Sequence, residues 1–312
     1  MLLYPIFASA AKKALAYRGD GAPSAPNYYP WTWKDLAYEP FSFKCGKWVL
    51  RGFKYSKKGV KEFKGLVTFF HGLGSGHYAY VNLCNMLAQA GYLVYAYDNP
   101  GSGLSEGRVI GSLSEAPKAQ KAFYEYLDKH TSIKDLPRYA IGHSWGGFTA
   151  LCALQEQYRV KKVVSISGFD SVKQIFLSAV PIAKLMKCEI WLYQTIHYGK
   201  LGRLSGLELM KNTNKEVLYI QGEQDKVVNF KDNGLRFQQE LKDKKNIHFL
   251  FKKDSAHNPY WTKEVEDYYL SCVEGKDSIM SLDRPLGRTF KDDWWRSVDP
   301  SIEKAILDFL AS

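Results

Sequence analysis

The chain has 312 residues, 46% of them hydrophobic and 24% charged, with a formal net charge of +11. That balance is ordinary for a soluble globular protein, and no apolar run reaches the length needed to span a bilayer. Five scattered cysteines (Cys45, Cys84, Cys152, Cys188, Cys272) form no C-x-x-C pair and lack metal-ligand spacing, which predicts free thiols in a reducing, cytoplasmic setting and no bound metal.

Residues 1–40 read as an extension that packs on the core. The apolar stretch Met1–Ala11 carries its charges behind it, at Lys12 and Lys13, the wrong polarity for a secretory signal. It reads as a packing or interfacial helix. Pro23, Pro26, Pro30, Trp31 and Trp33 then suggest an irregular surface wrap. Much of the basic excess lies in Lys44, Lys47, Arg51, Lys54, Lys57, Lys58, Lys61 and Lys64. Such a stretch can attract nucleic acid or an anionic membrane, but no nucleic-acid-binding module accompanies it. The plainer reading is an edge hairpin whose lysines guard against stray pairing, leaving at most a weak association with anionic membranes.

Residues 47–55 alternate as a strand and residues 65–70 form a fully buried one. The glycine-containing run His71-Gly72-Leu73-Gly74-Ser75-Gly76 leads into a helix over 78–90 that Gly91 ends. Further strands are predicted over 92–97, 136–141, 160–167, 216–220 and 247–251, with helices over 114–130, 230–241 and 301–310. Strands alternating with helices imply an α/β fold: a mostly parallel central sheet with helices on both faces. Residues 171–212 interrupt the alternation. They are too many for a connection and, with Phe176, Leu177, Leu185 and Trp191, too apolar for disorder, so they read as an inserted cap over the site. The core is then 41–170 and 213–312, with a second irregular stretch over 258–300.

Ala140 to Phe148 read A-I-G-H-S-W-G-G-F, a G-x-S-x-G pattern between a predicted strand and a predicted helix. A serine on that turn is an exposed nucleophile on a strained backbone, and the close passage of neighbouring chain demands glycines beside it. A serine hydroxyl needs a base, in general a histidine oriented by a carboxylate. His197, His248 and His257 follow Ser144. His257, in the loop after the last strand, can reach over the carboxyl edge of the sheet and is the chosen base. Asp225 directly follows a core strand and is the chosen acid, with Glu223 and Asp170 as competitors. The tetrahedral intermediate needs backbone N–H donors, best supplied by Trp145, after the nucleophile, and by Leu73.

Together these pieces resemble the α/β-hydrolase superfamily: His71-Gly72, the loop Asp98-Asn99-Pro100-Gly101-Ser102-Gly103-Leu104-Ser105, Gly142-His143-Ser144-Trp145-Gly146-Gly147, Gly222-Glu223-Gln224-Asp225 and His257. The chain looks most like the monoacylglycerol-lipase and serine-aminopeptidase-like branch. The resemblance implies a Ser144–Asp225–His257 triad under a helical cap, with Asp98 to Ser105 as a structural loop. Trp145 replaces a smaller residue common after the nucleophile, which predicts a narrowed pocket. The expected activity is hydrolysis of small-molecule carboxylic esters through an acyl-enzyme, without metal or cofactor. An aminopeptidase, a thioesterase or acyltransferase, and a catalytically silent binding protein of the same fold stay open.

Overall fold

The computed structural model describes residues 13, 15–19, 29–130, 133, 135–179, 185–272 and 296–312. The stretch Met1–Ala11 and most of 258–300 beyond Cys272 lie outside the described residues. Eight strands form one sheet: β1 (Leu36–Cys45), β2 (Trp48–Lys57), β3 (Leu66–Phe70), β4 (Leu93–Tyr97), β5 (Arg138–His143), β6 (Val160–Ile166), β7 (Glu216–Gly222) and β8 (Ile247–Lys252). Their order is β1-β2-β4-β3-β5-β6-β7-β8. The first two junctions are antiparallel and all the others parallel. Strands β3, β4 and β5 are buried along their whole length, as strands covered on both faces must be.

The helices are α1 (Val81–Gln89), α2 (Glu115–Asp128), α3 (Trp145–Cys152), α4 (Val172–Ala179), α5 (Lys187–Tyr198), α6 (Gly206–Asn212), α7 (Arg236–Glu240), α8 (Lys263–Cys272) and α9 (Pro300–Ala311). The strand period of two sends neighbouring residues to opposite faces. Val94 and Val164 meet α1 and α9 through Leu83, Leu87, Ile302 and Ile306. Tyr95 and Val163, one residue away, join Phe123 of α2 and Leu151 of α3 on the other face. Cys84 and Cys152 are fully buried, as their helix positions predict. Among the described residues no helix is long and apolar enough to cross a membrane.

The expectation that residues 1–40 are irregular is corrected at its end. Strand β1 starts at Leu36 and pairs over ten residues with β2. Pro40 disguised it, because proline breaks most strands; β1 is the outermost strand, where one is tolerated. The basic stretch does form the edge hairpin. Part of its charge is met locally, by Lys54 on Glu39 at 2.6 Å and Arg51 on Glu106 at 3.1 Å.

Candidate active site

The parallel strands end together, and the loops leaving β3, β5, β6, β7 and β8 carry Leu73, Ser144, Asp170, Glu223, Asp225 and His257. Strand β5 ends at His143 and α3 begins at Trp145, so Ser144 alone makes the turn, with φ 58° and ψ −116°. This left-handed backbone costs a serine roughly 1–3 kcal/mol and persists only where the surroundings impose it. The Ser144 N–H donates to the Ile166 carbonyl at 2.8 Å, and the Phe148 N–H donates to the Ser144 carbonyl at 3.0 Å. A Cβ on Gly142 would overlap the Gly146 carbonyl, and one on Gly146 would overlap that of Phe70. The G-x-S-x-G glycines are therefore set by the passage of backbone over backbone.

Asp225 sits in the loop after β7, buried, and accepts four hydrogen bonds. Its Oδ1 takes the N–H groups of Val227 and Val228, both at 2.9 Å. Its Oδ2 takes Gln221 Nε2 at 3.1 Å and His257 Nδ1 at 2.9 Å. With Nδ1 so occupied, His257 Nε2 is buried and has no hydrogen-bond partner among the described residues. The competing acids go elsewhere. Asp170 binds Ser205 Oγ, the Leu207 N–H and Arg236, pinning α6 to the core. Glu223 is exposed on the surface. His248 pairs with Glu216, and His197 is exposed on α5.

The loop after β3 is held at Gly72 from both sides. The Gly72 N–H donates to Tyr80 Oη at 3.1 Å. The Gly72 carbonyl receives His71 Nδ1 at 2.7 Å and Ser75 Oγ at 3.1 Å. That carbonyl and the Leu73 N–H belong to one rigid peptide plane, so fixing the first orients the second. His71 Nε2 accepts from the Asn99 N–H at 2.9 Å. Burial lowers the His71 pKa more than Asp98 raises it, and the ring is neutral with its proton on Nδ1.

Ser144 and His257 line one small open pocket of about 110 Å³, with Gly72, Leu73, Tyr80 and His143. Its far wall is aromatic: Tyr260, Trp261 and Tyr269. His143 lies 5.1 Å from Tyr260, which lies 5.1 Å from Trp261, in turn 5.2 Å from Tyr269, ring centre to ring centre. One expectation is corrected here. The Trp145 side chain does not narrow the pocket: it is buried with Leu15, Phe148 and Phe169, and its Nε1 donates to the Leu113 carbonyl at 2.7 Å. Nor, among the described residues, does any from 171–212 line the pocket; the loop and helix after His257 do so instead. Tyr80, His143, Tyr260, Trp261 and Tyr269 were missed as site residues. The aromatic run after His257 was the available signal.

Residues 15–19 form a strap across this end of the sheet. Arg18 donates to the carbonyls of Gly103, Ser105 and Gly107. Gly19 exchanges main-chain hydrogen bonds with Gly101 and Gly103, and it lies against Gly74 so closely that a Cβ there would meet the Gly74 backbone at 3.3 Å.

The model of the family described as "Serine aminopeptidase, S33" matches residues 61–216, which include the glycine loop and the Ser144 turn. The chain is 32% identical over 93 residues to the caffeoylshikimate esterase of Arabidopsis thaliana, an alignment covering 29% of this chain and 28% of that one. Among solved structures, a Pyrococcus furiosus esterase superposes with TM-score 0.63 at 18% identity, over 94% of this chain and 98% of that one. Est1E of Butyrivibrio proteoclasticus, solved with ferulic acid, superposes with TM-score 0.57 at 16% identity, over 87% of this chain and all of the other. With the eight-stranded sheet and the Ser144 turn, these matches place the chain in the serine aminopeptidase S33 family of hydrolases, within the α/β-hydrolase superfamily.

Proposed function

We propose that the protein is a serine carboxylesterase acting on small-molecule esters. The observation that carries this reading is His257, held at Nδ1 by the buried Asp225 and left with an unpartnered Nε2, in the pocket that Ser144 lines. A proton on Nδ1 leaves Nε2 as the base. Ser144 Oγ attacks the ester carbonyl carbon as its proton passes to His257 Nε2. Negative charge builds on the carbonyl oxygen, facing the N–H groups of Leu73 and Trp145, at about 3–4 kcal/mol per donor in the transition state. Trp145 opens α3, so the helix dipole adds to its N–H. The C–O bond then breaks, and His257 returns its proton to the departing alkoxide. Water, deprotonated by the same histidine, attacks the acyl-enzyme, and collapse frees the acid and restores Ser144.

Pocket size and chemistry support a short acyl chain or a single aromatic ring. A volume of about 110 Å³ is comparable to the ~150 Å³ apolar cavity that takes up benzene, and aromatic walls favour such groups. No carboxylate is among the described lining residues, so none of them pairs with a substrate ammonium, which favours an ester over an aminopeptidase substrate. The test is Ser144→Ala with p-nitrophenyl acetate and a fluorophosphonate probe. Loss of both turnover and labelling is expected; turnover at the wild-type rate overturns the reading.

A further inference from the structure

His143 precedes the nucleophile, is buried, and uses both ring nitrogens. Its Nε2 lies 2.8 Å from the His257 main-chain carbonyl and its Nδ1 lies 3.0 Å from Tyr80 Oη. A carbonyl can only accept, so Nε2 carries a proton. Burial, and the proximity of His257, push the His143 pKa well below the usual value, so the ring is neutral and Nδ1 is an acceptor. Tyr80 must then donate to Nδ1 while its oxygen accepts the Gly72 N–H at 3.1 Å. Burial raises the Tyr80 hydroxyl to about 12, which keeps that proton in place. One directional chain of hydrogen bonds thus runs from the Gly72 N–H through Tyr80 and His143 to the His257 carbonyl. The fit at Gly72 is close: a Cβ there would stand 2.6 Å from Tyr80 Oη and would force that hydroxyl to shift.

We propose that Tyr80 and His143 are positioning residues that set the distance between the oxyanion loop at Gly72–Leu73 and the base at His257. The proposal rests on the esterase reading of Ser144 and His257. The two ends of the chain belong to groups that act on one substrate carbonyl. The β3 and β8 loops that carry them share no main-chain to main-chain hydrogen bond among the described residues. Removing a middle link frees the loops to drift, and a misplacement of ~1 Å can cost about 100-fold in rate.

The test is the series Tyr80→Phe, His143→Gln, His143→Ala and the double variant Tyr80→Phe/His143→Ala, assayed with p-nitrophenyl acetate beside Ser144→Ala. Tyr80→Phe and His143→Ala should each lower kcat on the order of 10- to 100-fold with KM little changed, the signature of an interaction used in the transition state. The double variant should be no slower than the worse single one, because a chain is broken once. The Gln Nε2 can still donate to the His257 carbonyl, so His143→Gln should recover part of the rate lost in His143→Ala. Wild-type kcat in Tyr80→Phe and His143→Gln, multiplicative losses in the double variant, or losses confined to KM would overturn the proposal. If His143→Ala does not fold, Tyr80→Phe (one hydroxyl removed) and His143→Gln still decide it. An active Ser144→Ala would instead bring down the esterase reading beneath it; an inactive Ser144→Ala with unaffected Tyr80 and His143 variants removes only this proposal.

Discussion

Replacing Asp225 with asparagine exchanges one carboxylate oxygen for an NH2 group at a place where every partner is a donor. Val227 and Val228 donate to Oδ1; Gln221 and His257 donate to Oδ2. If the amide oxygen stays on the two backbone N–H groups, its NH2 faces two further donors. Each buried group left unpaired costs about 1–3 kcal/mol, so the variant should be measurably less stable. The imidazole can relieve its own conflict by moving its proton from Nδ1 to Nε2. The nitrogen that must receive the Ser144 proton is then already protonated. The wrong tautomer in a triad of this type costs ~10⁴ in kcat, about 5 kcal/mol of barrier. The assay is kcat for p-nitrophenyl acetate at neutral pH, with circular dichroism and thermal melting to establish that Asp225→Asn is folded. A folded variant with wild-type kcat would refute the assignment of Asp225 as the group that orients His257.

Other outcomes follow from the same contacts. Gly146→Ala should give little folded protein, because its Cβ overlaps the Phe70 carbonyl at the end of β3; a melting temperature equal to wild type would count against the backbone contact. Burial raises the Asp98 pKa, but the His77 ring at 2.8 Å and the Leu104 N–H are the main groups that outweigh it and hold the carboxyl below its usual value. A carboxylate depressed in this way adds stability above its unfolded pKa of about 3.9 and loses it as pH falls through the lower folded value. Asp98→Asn should therefore be less stable at neutral pH and show a shallower decline below about pH 4; parallel pH–stability curves would exclude this pairing as the cause. Trp261→Ala removes part of the aromatic wall and enlarges the pocket, so kcat/KM for naphthoate esters, larger than the single ring the pocket admits, should rise relative to acetate esters. An unchanged ratio would show that Trp261 does not limit acyl size.

The proposed triad of Ser144, Asp225 and His257 could be nominated from sequence because each member obeys a local rule: a glycine-flanked turn, a carboxylate just past a core strand, a histidine past the last one. The parallel sheet was readable because its strands are short apolar runs spaced by helices. Strand β1 was not, since Pro40 breaks the pattern that a strand normally shows and only its place at the sheet edge excuses it. Trp145 was misjudged for a different reason. Sequence places it beside Ser144, the proposed nucleophile, but gives no direction for its side chain, which the first turn of α3 sends into the core toward Leu113. The roles of Tyr80 and His143 depend on contacts between residues 63 and 114 positions apart, for which no local pattern exists.

Residues 98–111 contain no strand of their own, yet they are stitched on two sides. The Asp98 and Glu106 N–H groups donate to Arg51 and Val49 of β2, while the Gly103, Ile110 and Gly111 N–H groups donate to Gly19, Tyr17 and Leu15 of the strap. The loop is in effect laminated between the sheet and the strap, and it gains a stiffness that its glycines would otherwise deny it. Gly74 rests on the outer layer of that laminate, at Gly19. The strap is thus remote in sequence from the proposed catalytic groups and packed against the loop beside them. The strap lies as a backing plate behind the loop that the proposed mechanism assigns to the substrate oxygen.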